Sequence, residues 1–200
     1  MTRKKRDISK KRESILDAAV EVFCQEGYDS ASMDEIAEFA GASKRTVYNH
    51  FASKELLFGA VFERFVEETR ALKDIPYDPA KKLEAQLGKF VDAKLAIFKN
   101  PTWLGLTRVA LTMLIQDSHI ARASMARYKE GEHSLEDWLE SAVADKRLAI
   151  PNLGLGATMF WSMVMGALVW PQLMTECFST RQSNALKREL IETFVSRYHC

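Results

Sequence analysis

Cysteine is scarce in this chain of 200 residues, with only Cys24, Cys177 and Cys200. An odd number at such wide spacing excludes a disulfide framework and a zinc-ligand pattern, and fits a reducing, cytoplasmic setting. Five prolines and nine glycines leave long uninterrupted stretches for helices. No segment alternates apolar and polar residues as a half-buried strand would, and there is no internal repeat or low-complexity tract. Catalytic signatures are missing too: no G-x-S-x-G, no H-E-x-x-H, no P-loop, and only the fragment Gly154, Gly156 of a dinucleotide fingerprint. The histidines, His50, His119, His133 and His199, are scattered without metal-ligand spacing. An enzyme, a metal site and a cofactor are therefore not expected.

Charge is absent from another stretch. None occurs between Arg147 and Glu176, and Leu153 to Met174 is long and apolar enough to be considered as a membrane span. A helix buried in a core or a dimer interface is the preferred reading. The stretch carries Thr158, Ser162 and Gln172 and lacks a basic flank close to its ends. Pro171 is expected to kink it or end its regular part. A membrane-associated helical protein, or a helical enzyme without a recognisable motif, is the alternative class.

What is present is basic charge in one place. The net charge is +1, yet residues 1 to 12 hold seven cations against Asp7 alone. That leaves +6 at the N-terminus and −5 on the remainder, an asymmetry that suggests contact with a polyanion. No apolar run follows, so no secretory signal is expected. Lys10, Lys11 and Arg12 sit near the start of the first helical pattern, where cations oppose the helix dipole. A nearby phosphate would compensate; a solvated tail is the other reading.

Helical periodicity runs from residue 10 to 26, with Ile15, Ala19, Val22 and Phe23 on one face and Gly27 as the stop. Ser32 and Glu35 have capping-box spacing, Gly41 makes a turn, and Ser43 caps a third, short helix anchored by Val47 and Phe51. Ser53 starts a fourth with Leu57, Val61 and Phe65. Helices follow from about Pro79, Pro101, Ser118 and Asn152, and a last one spans about 182 to 198. The fold expected is all-α.

Two short helices crossing at a Gly turn form a helix-turn-helix, whose second helix enters the DNA major groove. Residues 39 to 54 contain no acidic side chain. On a helix, Lys44, Arg45, Tyr48 and Asn49 can share one face. Arg45 suits a bidentate contact to guanine and Asn49 one to adenine, while Tyr48 and His50 can reach phosphate.

Residues 10 to 58 resemble the DNA-binding domain of the TetR family of transcriptional regulators. The likeness rests on Ile15-Leu16, Ala18-Ala19, Phe23, Gly27-Tyr28, Ile36-Ala37, Ala40-Gly41 and Ser43, then Tyr48-Asn49-His50-Phe51, Lys54-Glu55 and Leu57-Phe58. It implies an N-terminal three-helix DNA-binding domain over residues 1–52 and a C-terminal helical bundle over 53–200 for ligand binding and dimerisation, with the fourth helix linking the two. It implies that Ser32 caps and touches phosphate, that Ser43, Lys44, Arg45, Thr46, Tyr48, Asn49 and His50 face DNA, and that Lys54 binds phosphate. Arg45 stands where many members have Gly, so the operator sequence does not transfer.

The resemblance further implies a homodimer on a near-palindromic operator, with the last two long helices packing against their symmetry mates. A small-molecule effector, apolar or aromatic, would lie among Trp103, Leu106, Met113, Phe160, Trp161, Met163 and Met165, with Arg108 able to meet an anionic group. Met and aromatic side chains suit such ligands, although plain core packing explains the same residues.

Overall fold

The computed structural model describes residues 3–70, 75–116, 133–174 and 178–200, with side chains described except at 3–8, 65–70, 113, 114, 116 and 133. The described chain is helical throughout, apart from turns and a single isolated bridge between Leu148 and His199. It divides into two compact units.

The first unit opens with α1, Arg3–Ser30. This helix begins seven residues before the position expected from periodicity, because the apolar pattern starts only at Ile15 and leaves the basic first turns without a signature. Ile15, Leu16, Ala19 and Phe23 are wholly buried. Each of the larger ones contributes about 1.5–3 kcal/mol by leaving water. Gly27 interrupts the helix with φ 77° and ψ 172°, a conformation that an L side chain would strain. One further turn then closes through Ala31 N–H to Gly27 O at 3.3 Å.

Helices α2 (Met33–Phe39) and α3 (Lys44–His50) follow, then α4 (Lys54–Arg70). Leu57, Phe58 and Val61 turn α4 inward, and Phe58 meets the rings of Phe23 and Tyr28 edge-on at 5.3 and 5.4 Å. On the surface, Arg64 of α4 bonds Asp17 at 2.7 Å and Glu13 at 3.4 Å on α1.

Helix α6 (Pro101–Gln116) belongs to this same unit. It lies so close to α1 that a β-carbon on Gly105 would stand 3.0 Å from Cys24 Sγ. The first unit thus gathers α4 and α6 beside the three helices expected to form it.

The second unit comprises α5 (Leu83–Phe98), α7 (His133–Ala144), α8 (Leu153–Val164), a π-helical turn (Met165–Val169), α9 (Trp170–Met174) and α10 (Thr180–Tyr198). Its core includes Leu87, Phe90, Val91, Trp138, Leu139, Phe160, Val164 and Phe194. Buried Gln86 is a polar junction within it. Its amide nitrogen donates to Asp78 O at 2.9 Å and Lys81 O at 3.1 Å, and its oxygen accepts from Asp78 N–H at 2.8 Å and Trp138 Nε1–H at 3.3 Å.

Caps set the helix limits here. Asn152 accepts from Leu155 N–H, and Ser179 forms a reciprocal capping box with Gln182. The disturbance expected at Pro171 takes the form of the π turn just before it. Proline has no N–H and crowds the carbonyl four residues back, so the turn widens and Trp170 N–H bonds Met165 O instead. The run Leu153–Met174 is one-third buried. Leu155, Met159, Trp170 and Met174 stand exposed on it.

Candidate nucleic-acid interface

The α2–turn–α3 segment is built by local hydrogen bonds. Ser32, in extended conformation, accepts Glu35 N–H at 3.1 Å and caps α2. At the other end Gly41 takes φ +55°. Gly41 N–H then reaches Glu38 O at 3.0 Å and Ala42 N–H reaches Ala37 O at 2.9 Å, the paired bonds of a Schellman closure. Ser43 caps α3 by accepting Thr46 N–H at 3.2 Å, and the two hydroxyls lie 2.8 Å apart. Such caps are worth about 1 kcal/mol each, which matters for a helix too short to persist alone.

Val47 is wholly buried and Phe51 nearly so, which fixes the rotation of α3. Lys44, Arg45, Tyr48 and Asn49 consequently stand exposed together, with Tyr48 half accessible. Thr46 and His50 are partly covered. Lys44 does not stand alone on this side, because its ammonium pairs with Asp34 of α2 at 2.6 Å.

Helix α1 supports the unit in ways the sequence pattern did not single out. Lys11 Nζ donates to Gly41 O at 3.2 Å and Ser14 Oγ to Ala40 O at 3.1 Å, so α1 satisfies carbonyls at the end of α2. The Arg12 guanidinium lies 5.3 Å from the Phe51 ring centre. Lys11 and Arg12 therefore have intramolecular partners beside whatever a polyanion adds. A basic run followed by Ser14 carries no signal for this, since the carbonyls they meet are some 26 to 30 residues away in sequence.

Lys54, expected at phosphate, has another occupation. Its ammonium donates to Tyr28 O at 2.6 Å, Ala31 O at 2.9 Å and Asp29 O at 3.1 Å, and lies 4.5 Å over the Tyr28 ring. An ammonium has three protons, and these three carbonyls use them all. Gly27 creates the need by breaking α1 and leaving the carbonyls of its last turn unpaired. Burial, followed by the negative charge of Glu55, pushes the Tyr28 phenol up, so the ring stays neutral beneath the cation.

The residues considered for a ligand fall into both units. Trp103 and Leu106 are buried in the first, and Arg108 is exposed on α6. The side chain of Met113 lies outside those described. In the second unit Phe160 is wholly buried, with Trp161 and Phe194 edge-on at 5.5 and 5.2 Å. Trp161, Met163 and Met165 are half-buried. Among the described residues no group of three or more His, Cys, Asp or Glu is placed to hold a metal ion.

Two family models match the chain. Residues 15–61 fit "Bacterial regulatory proteins, tetR family", and residues 85–200 fit "AefR-like transcriptional repressor, C-terminal domain". Among curated relatives, the chain is 41% identical over 86 residues to the transcriptional activator FasR of Mycolicibacterium smegmatis, covering 41% of this chain and 39% of that protein. It is 27% identical over 132 residues to the transcriptional repressor ComR of Escherichia coli, covering 64% and 63%. The chain thus spans less than two thirds of either relative. A TetR family regulator from Pseudomonas syringae pv. tomato superposes over 100% of this chain and 99% of its own, with TM-score 0.79 and 28% identity. The capped helix pair, the helical second unit and both family matches lead to one assignment: the chain belongs to the TetR family of transcriptional regulators.

Proposed function

We propose that this protein is a cytoplasmic, ligand-responsive transcriptional repressor that binds a near-palindromic operator as a homodimer. The observation that carries this reading is the exposed side of α3. Arg45, Tyr48 and Asn49 project from a short helix held by a serine cap at its start and by Val47 and Phe51 beneath. Arg45 reads a guanine edge, Asn49 an adenine edge, and Tyr48 and His50 donate to phosphates. Ser32, Ser43 and Thr46 lie beside this face with hydroxyls that can contact phosphate while keeping their capping bonds. Lys54 holds the end of α1 rather than a phosphate. Repression rather than activation follows the name of the C-terminal family model and of ComR, whereas FasR is named an activator.

A gel shift on the chain's own upstream promoter region tests this directly. Specific retention that survives excess unrelated DNA supports it, and equal affinity for all sequences at low salt sinks it. The Lys44–Asp34 pair supplies a finer check. Asp34→Ala removes the counter-charge, and the freed ammonium is expected to reach a phosphate. The slope of log K against log salt should then steepen by about 0.9. An unchanged slope would mean that Lys44 already leaves Asp34 when DNA binds.

Dimerisation is assigned to the uncharged run Leu153–Met174 with α10. A stripe of exposed Leu155, Met159, Trp170 and Met174 fits a second copy of itself better than it fits water. Met159→Glu places two like charges across such a two-fold contact. Sedimentation should show a monomer, with operator affinity down by about tenfold or more because one recognition helix then binds without its mate. A variant that stays dimeric would place the interface elsewhere.

The effector is a small, apolar or aromatic molecule bound in the C-terminal unit. It shifts the population towards a state unable to place both recognition helices one DNA turn apart. Effector and operator then weaken each other's binding by the same factor.

A further inference from the structure

Lys94 is the one charged side chain buried among the described residues, with 7% of its surface exposed. It projects from α5, and its ammonium sits 4.7 Å over the ring of Trp161 on α8, within the same unit. The Trp161 Nε1–H is itself buried and has no hydrogen-bond acceptor. The other side of Trp161 is walled by Phe160, whose ring is edge-on at 5.5 Å.

The chemistry of the pair is one-sided. An ammonium and an indole N–H only donate, and neither offers an acceptor. A buried indole N–H ordinarily finds a partner. Two donors beside aromatic surface match a molecule with acceptor oxygens at one end and an apolar body behind them. A carboxylate fits best, because its two oxygens can accept from both donors at once and its charge answers a desolvated ammonium.

We propose that Lys94 and Trp161 form the head-group subsite of the effector, and that the effector is an apolar carboxylate with a flat aromatic body. The proposal rests on the ligand-responsive reading above but not on the DNA-binding one, and the test keeps them apart. Calorimetric titration of the full chain with 2-naphthoate and its neutral counterpart 2-naphthamide isolates the charge while holding the body constant. The acid should bind at least about tenfold more tightly than the amide. Lys94→Met should abolish that preference, and Lys94→Arg should retain most of it. Trp161→Phe keeps the ring face and removes the N–H, so acid affinity should fall about fivefold with little change for the amide. Equal binding of acid and amide, no binding of either at millimolar concentration, or a preference that survives Lys94→Met overturns the proposal. Retention of the operator by each variant in the absence of probe is read separately by gel shift. Its loss in all proteins, wild type included, would sink the regulator reading and leave the subsite standing.

Discussion

Lys54→Met is expected to lower the free energy of unfolding by about 3 kcal/mol, a large fraction of the stability of a typical domain. Methionine keeps most of the apolar stem but donates nothing. The carbonyls of Tyr28, Asp29 and Ala31 then lose a shared charged donor, and the Tyr28 ring loses its cation. Hydrogen bonds to a charged group are worth about 1.5–3 kcal/mol each, and partial access of water returns some of that sum. Urea denaturation followed by circular dichroism measures the loss. The same variant decides what Lys54 does on DNA. If it binds phosphate, stability should change by less than about 0.5 kcal/mol while the salt slope falls by about 0.9. If it secures the end of α1, stability drops and the slope of the remaining folded protein is unchanged.

The second large effect concerns base reading. Arg45→Ala and Asn49→Ala should each weaken specific operator binding by about 1–3 kcal/mol, or roughly five- to 150-fold, and the double variant should approach the non-specific level. Neither side chain is needed for packing, since both are exposed on α3. Thermal midpoints should therefore stay close to that of the parent. Specificity is the sharper readout. Selection from randomised operators should relax at one base position per half-site for Arg45→Ala and at a different one for Asn49→Ala. A uniform loss at all positions, together with a lower salt slope, would move both residues from base edges to the backbone.

The recognition helix was legible because its determinants are local. Ser32, Gly41 and Ser43 act within three residues of themselves, so a cap or a left-handed turn shows in sequence spacing. Lys54 was not legible in this way. A lysine at the start of a helix reads as a solvent-facing cation, and the carbonyls it serves lie 23 to 26 residues earlier. The need for it arises from Gly27, whose positive φ is a backbone property that only three-dimensional closure turns into unpaired acceptors. The start of α1 was misjudged for a related reason, as polar helical turns have no amphipathic signature. The ligand residues were the least legible. Spacing could not separate a pocket from a core, and Phe160 and Leu106 are buried as core residues would be. Lys94 escaped notice because a lysine in an apolar helix is ordinarily a surface residue whose stem lies along the helix.

Gln86 constrains how this protein can change over generations. Its amide must donate to two carbonyls and accept from a backbone N–H and an indole N–H at once. Glutamate has the same length and is one base change away, yet it would set a carboxylate against the carbonyls of Asp78 and Lys81. Asparagine is a methylene too short, and leucine neither donates nor accepts. Every single-residue step from this position leads downhill. An evolving lineage could leave it only by altering Trp138 and the 78–82 loop together, so drift should be far slower here than at the equally apolar surroundings of the junction.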